Sequence, residues 1–124
     1  MNQEKLHCCL VQSDIHTLNV EDNLNRYKII LENMENNPDI IIFPEMFAYG
    51  FSEDIAQFAV KNEKKCLEFL YQISQKYCAD IVASLPVLEK ERLFNRLVWI
   101  RENQIIAHYD KRHLFFGQEK QFCT

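Results

Sequence analysis

Two residues of opposite charge follow directly on apolar segments of this sequence. Glu45 comes after the run 40–44 in the stretch IIFPEMFAYGF, and Lys111 comes after segment 104–110 in AHYDKRHLF. Because open α/β sheets bind their ligands beyond the carboxyl ends of the strands, an acid and an amine at two such ends can face one pocket. In such a pocket a carboxylate can accept a proton, and an ammonium group can stabilise negative charge that develops during a reaction.

Each of these residues also has an ordinary structural interpretation when it is taken alone. Glu45 could turn into solvent or cap a helix, and Lys111 could pair with Asp110 or another nearby carboxylate. Pro44 nevertheless holds Phe43 extended and fixes its own φ, so the Glu45 carboxylate leaves the strand in a defined direction among apolar neighbours. The two positions therefore predict a shared site, provided that both side chains point to the same side of the molecule.

The sequence around these residues predicts two helices and a loop. The first helix has Asn19 as its N-cap and ends at Asn-Asn-Pro, residues 36–38. Its apolar residues recur at helical spacing: Val20, Leu24, Tyr27, Leu31 and Met34. The second helix is predicted from Glu63 to Tyr77 on an apolar stripe. Between them, Met46 to Val60 is predicted as a loop with a short helical turn, in which Gly50 adopts a positive φ.

Five segments predict strands. Residues 5–12 and 39–43 are apolar on both faces, which is typical of buried strands. Residues 81–87 form a third strand with Pro86 near its end, and residues 93–101 and 104–110 form an antiparallel hairpin. The order βαβαβββ predicts an α/β fold in which crossover helices cover a face of the sheet.

Length and composition limit the classes of protein. A chain of 124 residues is the size of one domain, and no apolar run is long enough to span a bilayer. The net charge of −4 gives no indication of a nucleic-acid partner, and the basic cluster at 111–113 is too short to be a binding patch. The N-terminus lacks the features of a signal peptide, which predicts a cytoplasmic protein. Five cysteines without a CxxC pair argue against a disulfide scaffold or a zinc site.

The stretches FPEMFAYGF and YDKRHLF resemble the glutamate and lysine motifs of the nitrilase superfamily, the carbon-nitrogen hydrolases, in the wording of the omega-amidase-like branch. The resemblance extends over the opening strand with Gln12, the helix around Leu24, and Asn95. It implies a four-layer αββα sandwich, of which residues 1–124 would be the N-terminal half, ending before the strand that bears the nucleophile.

The resemblance also implies the roles of individual residues in a Glu-Lys-Cys triad. Glu45 would be the general base and Lys111 the cation that stabilises the tetrahedral intermediate. Glu119 lies near the place of a second glutamate, although it could equally be a solvated loop acid. The implied reaction is hydrolysis of a small amide through a cysteine thioester with release of ammonia, without a metal or an organic cofactor.

The nucleophilic thiol is not evident in this sequence. Cys123 is the only cysteine after Lys111, and its context QFCT differs from the nucleophile motif that the resemblance implies. The other four cysteines lie in predicted strands and helices, where cysteine behaves as a small core residue. Ser13, Asp14 and His16 cannot form a serine triad because they are neighbours in one loop.

The chain alone is therefore expected to lack its nucleophile and to be inactive. The expected partners are a small amide substrate, a second chain that supplies the rest of the domain, and further copies of this chain, with no nucleic acid and no membrane. The alternative is a non-catalytic remnant or interaction module.

Overall fold

The computed structural model describes residues 5–114 and Cys123, so Glu119 lies outside the described residues. The described elements follow the predicted order βαβαβββ. They are β1 (Cys8–Leu10), α1 (Val20–Glu32), β2 (Ile40–Ile42), α2 (Ile55–Tyr77), β3 (Asp80–Glu89), β4 (Arg92–Arg101) and β5 (Gln104–Asp110).

The five strands form one sheet in the order β1-β2-β3-β4-β5. β1, β2 and β3 are parallel, whereas β4 is antiparallel to both β3 and β5. Since two reversals restore the direction, β5 runs the same way as β2. These directions place three points at the same end of the strands: the carboxyl ends of β2 and β5 and the start of β4.

The core lies between the sheet and the two helices. Asn19 caps α1 by accepting a hydrogen bond from the Asp22 N–H, and the predicted apolar stripe is buried up to Leu31. On the sheet side, alternate residues of β3 face the helices and are buried in the same cluster: Ile81, Ala83, Leu85 and Val87.

The predicted loop from Met46 to Val60 is wrong over its second half. α2 begins at Ile55, because Ile55, Ala59 and Asn62 continue the buried stripe that leads to Cys66. The remaining irregular segment is a tight turn, and Gly50 has φ +69 there, as predicted.

The first strand also differs from its prediction. β1 covers only Cys8–Leu10 and is an edge strand among the described strands. Cys8 and Leu10 are exposed on the face away from the helices, and only Cys9 packs against the core. The face that carries Leu10 continues across the sheet through neighbouring registered positions and is not covered by either helix. Its apolar residues include Ile42, Val82, Leu97 and Tyr109. We call this surface the open face.

Pro86 lies inside β3, which continues to Glu89. Its partner is Asn95, whose backbone carbonyl accepts a hydrogen bond from Lys111 N–H on the opposite side of β4. Pro86 therefore occupies a position of the β3–β4 ladder that needs no N–H donor.

None of the helices within the described residues is both long and apolar enough to cross a membrane.

Candidate active site

Glu45 and Lys111 meet at the end of the sheet where β2 and β5 finish. Lys111 Nζ donates to Glu45 Oε1 at 2.8 Å, and Asn95 Nδ2 donates to the same oxygen at 2.8 Å. Glu45 follows β2, Lys111 follows β5, and Asn95 lies near the start of β4. The direction of the three strands thus brings together residues that are far apart in the sequence.

The two donors leave one carboxylate oxygen of Glu45 available. Among the residues that the structure describes, none donates a hydrogen bond to Oε2. The side chains of Glu45 and Lys111 are 46% and 31% exposed. Within the described part of the chain, the carboxylate is therefore held through Oε1 alone, on a side chain that is partly open to solvent.

The main chain after Glu45 is anchored to β3 by Ser84. Met46 N–H donates to Ser84 Oγ at 2.8 Å, and Phe47 N–H donates to the Ser84 carbonyl at 3.2 Å. Met46 adopts φ +52, an unfavourable angle for a residue with a side chain, and these two hydrogen bonds help to hold it. Ser84 thereby fixes where the chain turns just after the carboxylate.

Helix α1 holds the same turn from the other side through two buried polar side chains. Asn23 Nδ2 donates to the carbonyls of Ala48 at 2.7 Å and His16 at 2.8 Å, while Asn23 Oδ1 accepts from His16 N–H at 2.8 Å. Tyr27 Oη donates to the Phe47 carbonyl at 2.6 Å. The core packing of α1 is thus coupled to the position of Glu45.

The apolar neighbours of Glu45 in the sequence do not surround its carboxylate. Phe43, Met46 and Phe47 are buried in the core, where the ring of Phe43 packs edge-on against Tyr27 at 5.0 Å. Their burial fixes the backbone on both sides of Glu45, whose own side chain is 46% exposed.

A cleft of about 280 Å³ opens beside Glu45, Asn95 and Lys111. Apolar residues of the open face form its floor: Ile42, Val82, Leu97 and Tyr109. A larger cavity of about 510 Å³ lies at the opposite end of the strands, next to Cys78, Asp80 and Arg101. It takes no part in this site. The described residues contain no cluster of side chains suited to a metal ion.

No cysteine lines the cleft among the residues that the structure describes. Burial raises the pKa of Cys66 to about 11, and its Sγ donates to Tyr49 Oη at 3.7 Å. Cys8 pairs with Ile40 at the amino end of β2, away from Glu45. Cys123 is buried in the core cluster.

Ser84 and the contact between Asn95 and Glu45 are not among the features that the sequence predicts. Asn95 entered only as part of a family resemblance, although a buried asparagine within an apolar strand is itself a signal, because its amide needs partners. Ser84 carried no comparable signal, since the turn that it anchors comes from a distant segment.

The fold is that of the carbon-nitrogen hydrolases. Residues 9–122 match the sequence pattern of the carbon-nitrogen hydrolase family, and the chain belongs to that family. The predicted membership of the nitrilase superfamily, in its omega-amidase-like branch, is confirmed.

Individual relatives resemble the chain over most of its length. It is 31% identical to omega-amidase YafV of Yersinia enterocolitica, over 89% of this chain and 42% of that protein. It is 26% identical to 2-oxoglutaramate amidase of Bacillus subtilis strain 168, over 86% of this chain and 42% of that protein. The chain therefore spans less than half the length of these curated relatives.

Among solved structures, XC1258 of Xanthomonas campestris, a CN-hydrolase superfamily protein, matches with a TM-score of 0.87 and 30% identity. The match covers 98% of this chain and 46% of that one. The predicted nitrilase-like α/β fold is thus confirmed.

Proposed function

We propose that this chain supplies the base and the cation of an amidase active site, with Glu45 as the general base and Lys111 as the cation. The main support is that Glu45 Oε1 accepts hydrogen bonds from both Lys111 and Asn95 at 2.8 Å, beside an accessible cleft. The proposed reaction is omega-amidase-like hydrolysis of a small amide through a cysteine thioester, with release of ammonia.

In the first half of this reaction, Glu45 Oε2 takes the proton from the thiol while Oε1 stays bound to Lys111 and Asn95. An ordinary thiol has a pKa near about 8.5, so a base and a nearby cation are needed to supply the thiolate at neutral pH. The thiolate attacks the amide carbonyl carbon, and Lys111 stabilises the resulting oxyanion. The intermediate collapses when Glu45 returns the proton to the leaving nitrogen, which departs as ammonia.

In the second half, Glu45 takes a proton from water, and the oxygen attacks the thioester carbonyl. The carboxylic acid is released and the thiol recovers its proton. Glu119 is proposed as a further acid of the site.

The thiol is proposed to come from a second polypeptide that completes the domain, for which residues 1–124 would form the N-terminal portion. The open face supports this proposal, because apolar residues such as Leu10 and Tyr109 are 75% and 49% exposed on it, and Tyr109 also lines the cleft. A completing sheet placed on this face would bury them and could bring a thiol to Glu45. Without it, the chain would be a non-catalytic module.

The names of the relatives indicate a substrate class. Omega-amidases and 2-oxoglutaramate amidase act on the terminal amides that their names state. We propose a short amide that also bears a carboxylate, with 2-oxoglutaramate as the first compound to assay.

The proposal can be tested by co-expressing this chain with the polypeptide encoded downstream of residue 124 and measuring ammonia release from 2-oxoglutaramate. Glu45→Gln and Lys111→Met should each reduce kcat by about a hundredfold or more, because each removes a group that acts in the transition state.

Matched controls exist elsewhere on the surface. Glu91→Gln in the β3–β4 turn and Lys64→Met on α2 make the same chemical changes at exposed positions and should leave kcat unaltered. Full activity in the Glu45 and Lys111 variants would contradict the assigned roles, whereas absence of ammonia release from the co-expressed wild type would favour the non-catalytic module.

A further inference from the structure

Burial contributes little to holding the strand that leads into Lys111. Residues 104–109 of β5 are all exposed, and only Asp110 at the end of the strand is partly buried. Among the described strands, β5 has a neighbour on one side only. Apolar packing therefore leaves the position of Lys111 weakly determined, so polar contacts at the end of β5 gain importance.

An ion pair ties this end of β5 to β4. Arg96 Nε donates to Asp110 Oδ1 at 2.7 Å, and Arg96 Nη2 donates to Oδ2 at 3.0 Å. The two residues lie directly opposite each other. Because Lys111 N–H donates to the Asn95 carbonyl, Arg96 and Asp110 occupy a non-hydrogen-bonded pair of the ladder, where facing side chains approach most closely.

A third strand anchors Arg96. Its Nη1 lies 3.0 Å from Oε2 of Glu89, the last residue of β3, and its guanidinium lies 5.8 Å from the centre of the Phe94 ring. The Arg96 side chain is only 16% exposed, so solvent screens this pair less than an ordinary surface ion pair. Hydrogen bonding from Arg96 lowers the pKa of Asp110, which therefore stays charged at neutral pH.

The ion pair adjoins both donors to Glu45. Asp110 precedes Lys111, and Arg96 follows Asn95. Since successive residues of a strand point to opposite faces, the ion pair lies on the helix side while Asn95 and Lys111 reach Glu45 on the other side. We infer that Arg96 and Asp110 are positioning residues, which fix the spacing of Lys111 and Asn95 and so hold both donors on Glu45 Oε1.

The importance of this pair for catalysis rests on the proposed function, but its effect on Lys111 can be measured without any activity. Asp110→Asn keeps the shape of the side chain and removes its charge, whereas Arg96→Lys keeps the charge and loses the paired donors. Acylation of lysines, quantified by mass spectrometry, reports how freely each amine reacts. Lys64, whose side chain is 89% exposed, serves as the internal reference.

Both substitutions should raise the acylation rate of Lys111 several-fold and leave that of Lys64 unchanged. The double variant should match the single ones, because all three lack the same interaction. Asp80→Asn is a matched control, since it breaks another ion pair between neighbouring strands. In that pair, Arg101 Nη2 lies 2.7 Å from Asp80 Oδ2, at the end of the strands opposite to Lys111. It should not change the rate at Lys111.

Three results would overturn the inference: an unchanged rate at Lys111 in Asp110→Asn, the same increase in Asp80→Asn, or an equal increase at every lysine, which indicates a general loss of stability. In the completed amidase, Asp110→Asn should lower kcat roughly ten- to a hundredfold with little change in KM, because a small misplacement of a reacting group has effects of this size. Asp80→Asn should not. If the completed wild type releases no ammonia, the proposed function fails, while the acylation rates still decide the positioning role.

Discussion

At the scale of single residues, the candidate site depends on polar side chains that are buried in the core. Asn23 uses both ends of its amide to join α1, the loop at His16 and the turn at Ala48. A buried amide with all of these partners stabilises one arrangement of the turn, because any other arrangement would leave buried polar groups unpaired. The position of Glu45 therefore depends on contacts within the core as well as on its hydrogen bonds with Asn95 and Lys111.

Replacing Asn23 by alanine should lower the free energy of unfolding by about 2–3 kcal/mol, since three hydrogen bonds are lost and buried carbonyls lose their donor. Urea denaturation measures this difference. Asn25→Ala is the matched control on the same helix, because Asn25 is exposed and alanine has the higher helix propensity. Equal losses in the two variants would show that the Asn23 contacts do not stabilise the turn.

At the scale of elements, strand direction decides which residues meet. Glu45 and Lys111 converge because β5 runs parallel to β2 after two reversals. Asn95 joins them because β4 starts at the end of the sheet where β2 and β5 finish. At the opposite end of the strands, Asp80 of β3 binds Arg101 and accepts a hydrogen bond from Trp99 Nε1 at 2.9 Å. These contacts join the start of β3 to the end of β4.

The contact of Asp80 with Arg101 and Trp99 predicts that the stability of the fold depends on pH. Hydrogen bonding from Arg101, followed by that from Trp99, lowers the pKa of Asp80. A carboxyl group with a lowered pKa in the folded state stabilises the fold above its unfolded pKa, and this contribution is lost as the pH falls through the folded pKa. Asp80→Asn should therefore be less stable than wild type at pH about 7 and approach it at pH about 3.

Thermal unfolding followed over this pH range gives the comparison. Arg101→Gln should show the same convergence with wild type at acid pH, because it removes the larger cause of the shift. A constant difference between Asp80→Asn and wild type at every pH would contradict this explanation.

At the scale of the whole molecule, the two described helices cover one face of the sheet, and the open face is exposed over part of its area. The helices bury residues such as Ile41 and Ile81, whereas Leu10, Leu97 and Tyr109 on the open face are 75%, 37% and 49% exposed. An apolar surface of this kind, next to a cleft that contains the proposed base, is the surface on which we propose that the completing polypeptide packs.

Leu10→Asp should weaken co-purification of the completing polypeptide and lower amidase activity in proportion, since it places a charge where we expect burial. Ile29→Asp is the control, because Ile29 is 60% exposed on the outer side of α1. Pull-down and ammonia release measure the two effects. Equal binding by the two variants would argue against the open face as the contact surface.

The sequence by itself determined the order of the elements, the apolar stripe of α1, the positive φ of Gly50 and the family motifs around Glu45 and Lys111. These features are local, because helical spacing, turn geometry and the residues that border a strand are written in adjacent positions. The start of α2 at Ile55 differs from the prediction, since the apolar Val60 is 64% exposed and the polar Asn62 is buried, which blurs the apolar stripe at the start of the helix.

Only the tertiary structure decided which distant residues meet and which face of the sheet stays open. The contact between Asn95 and Glu45, the anchoring of Met46 by Ser84 and the pairing of Arg96 with Asp110 depend on strand register. Both faces of β1 are apolar, which predicts burial, yet β1 lies at the edge of the described sheet and its residues Cys8 and Leu10 are exposed. Burial depends on what packs against a strand, and that information lies outside the strand's own residues.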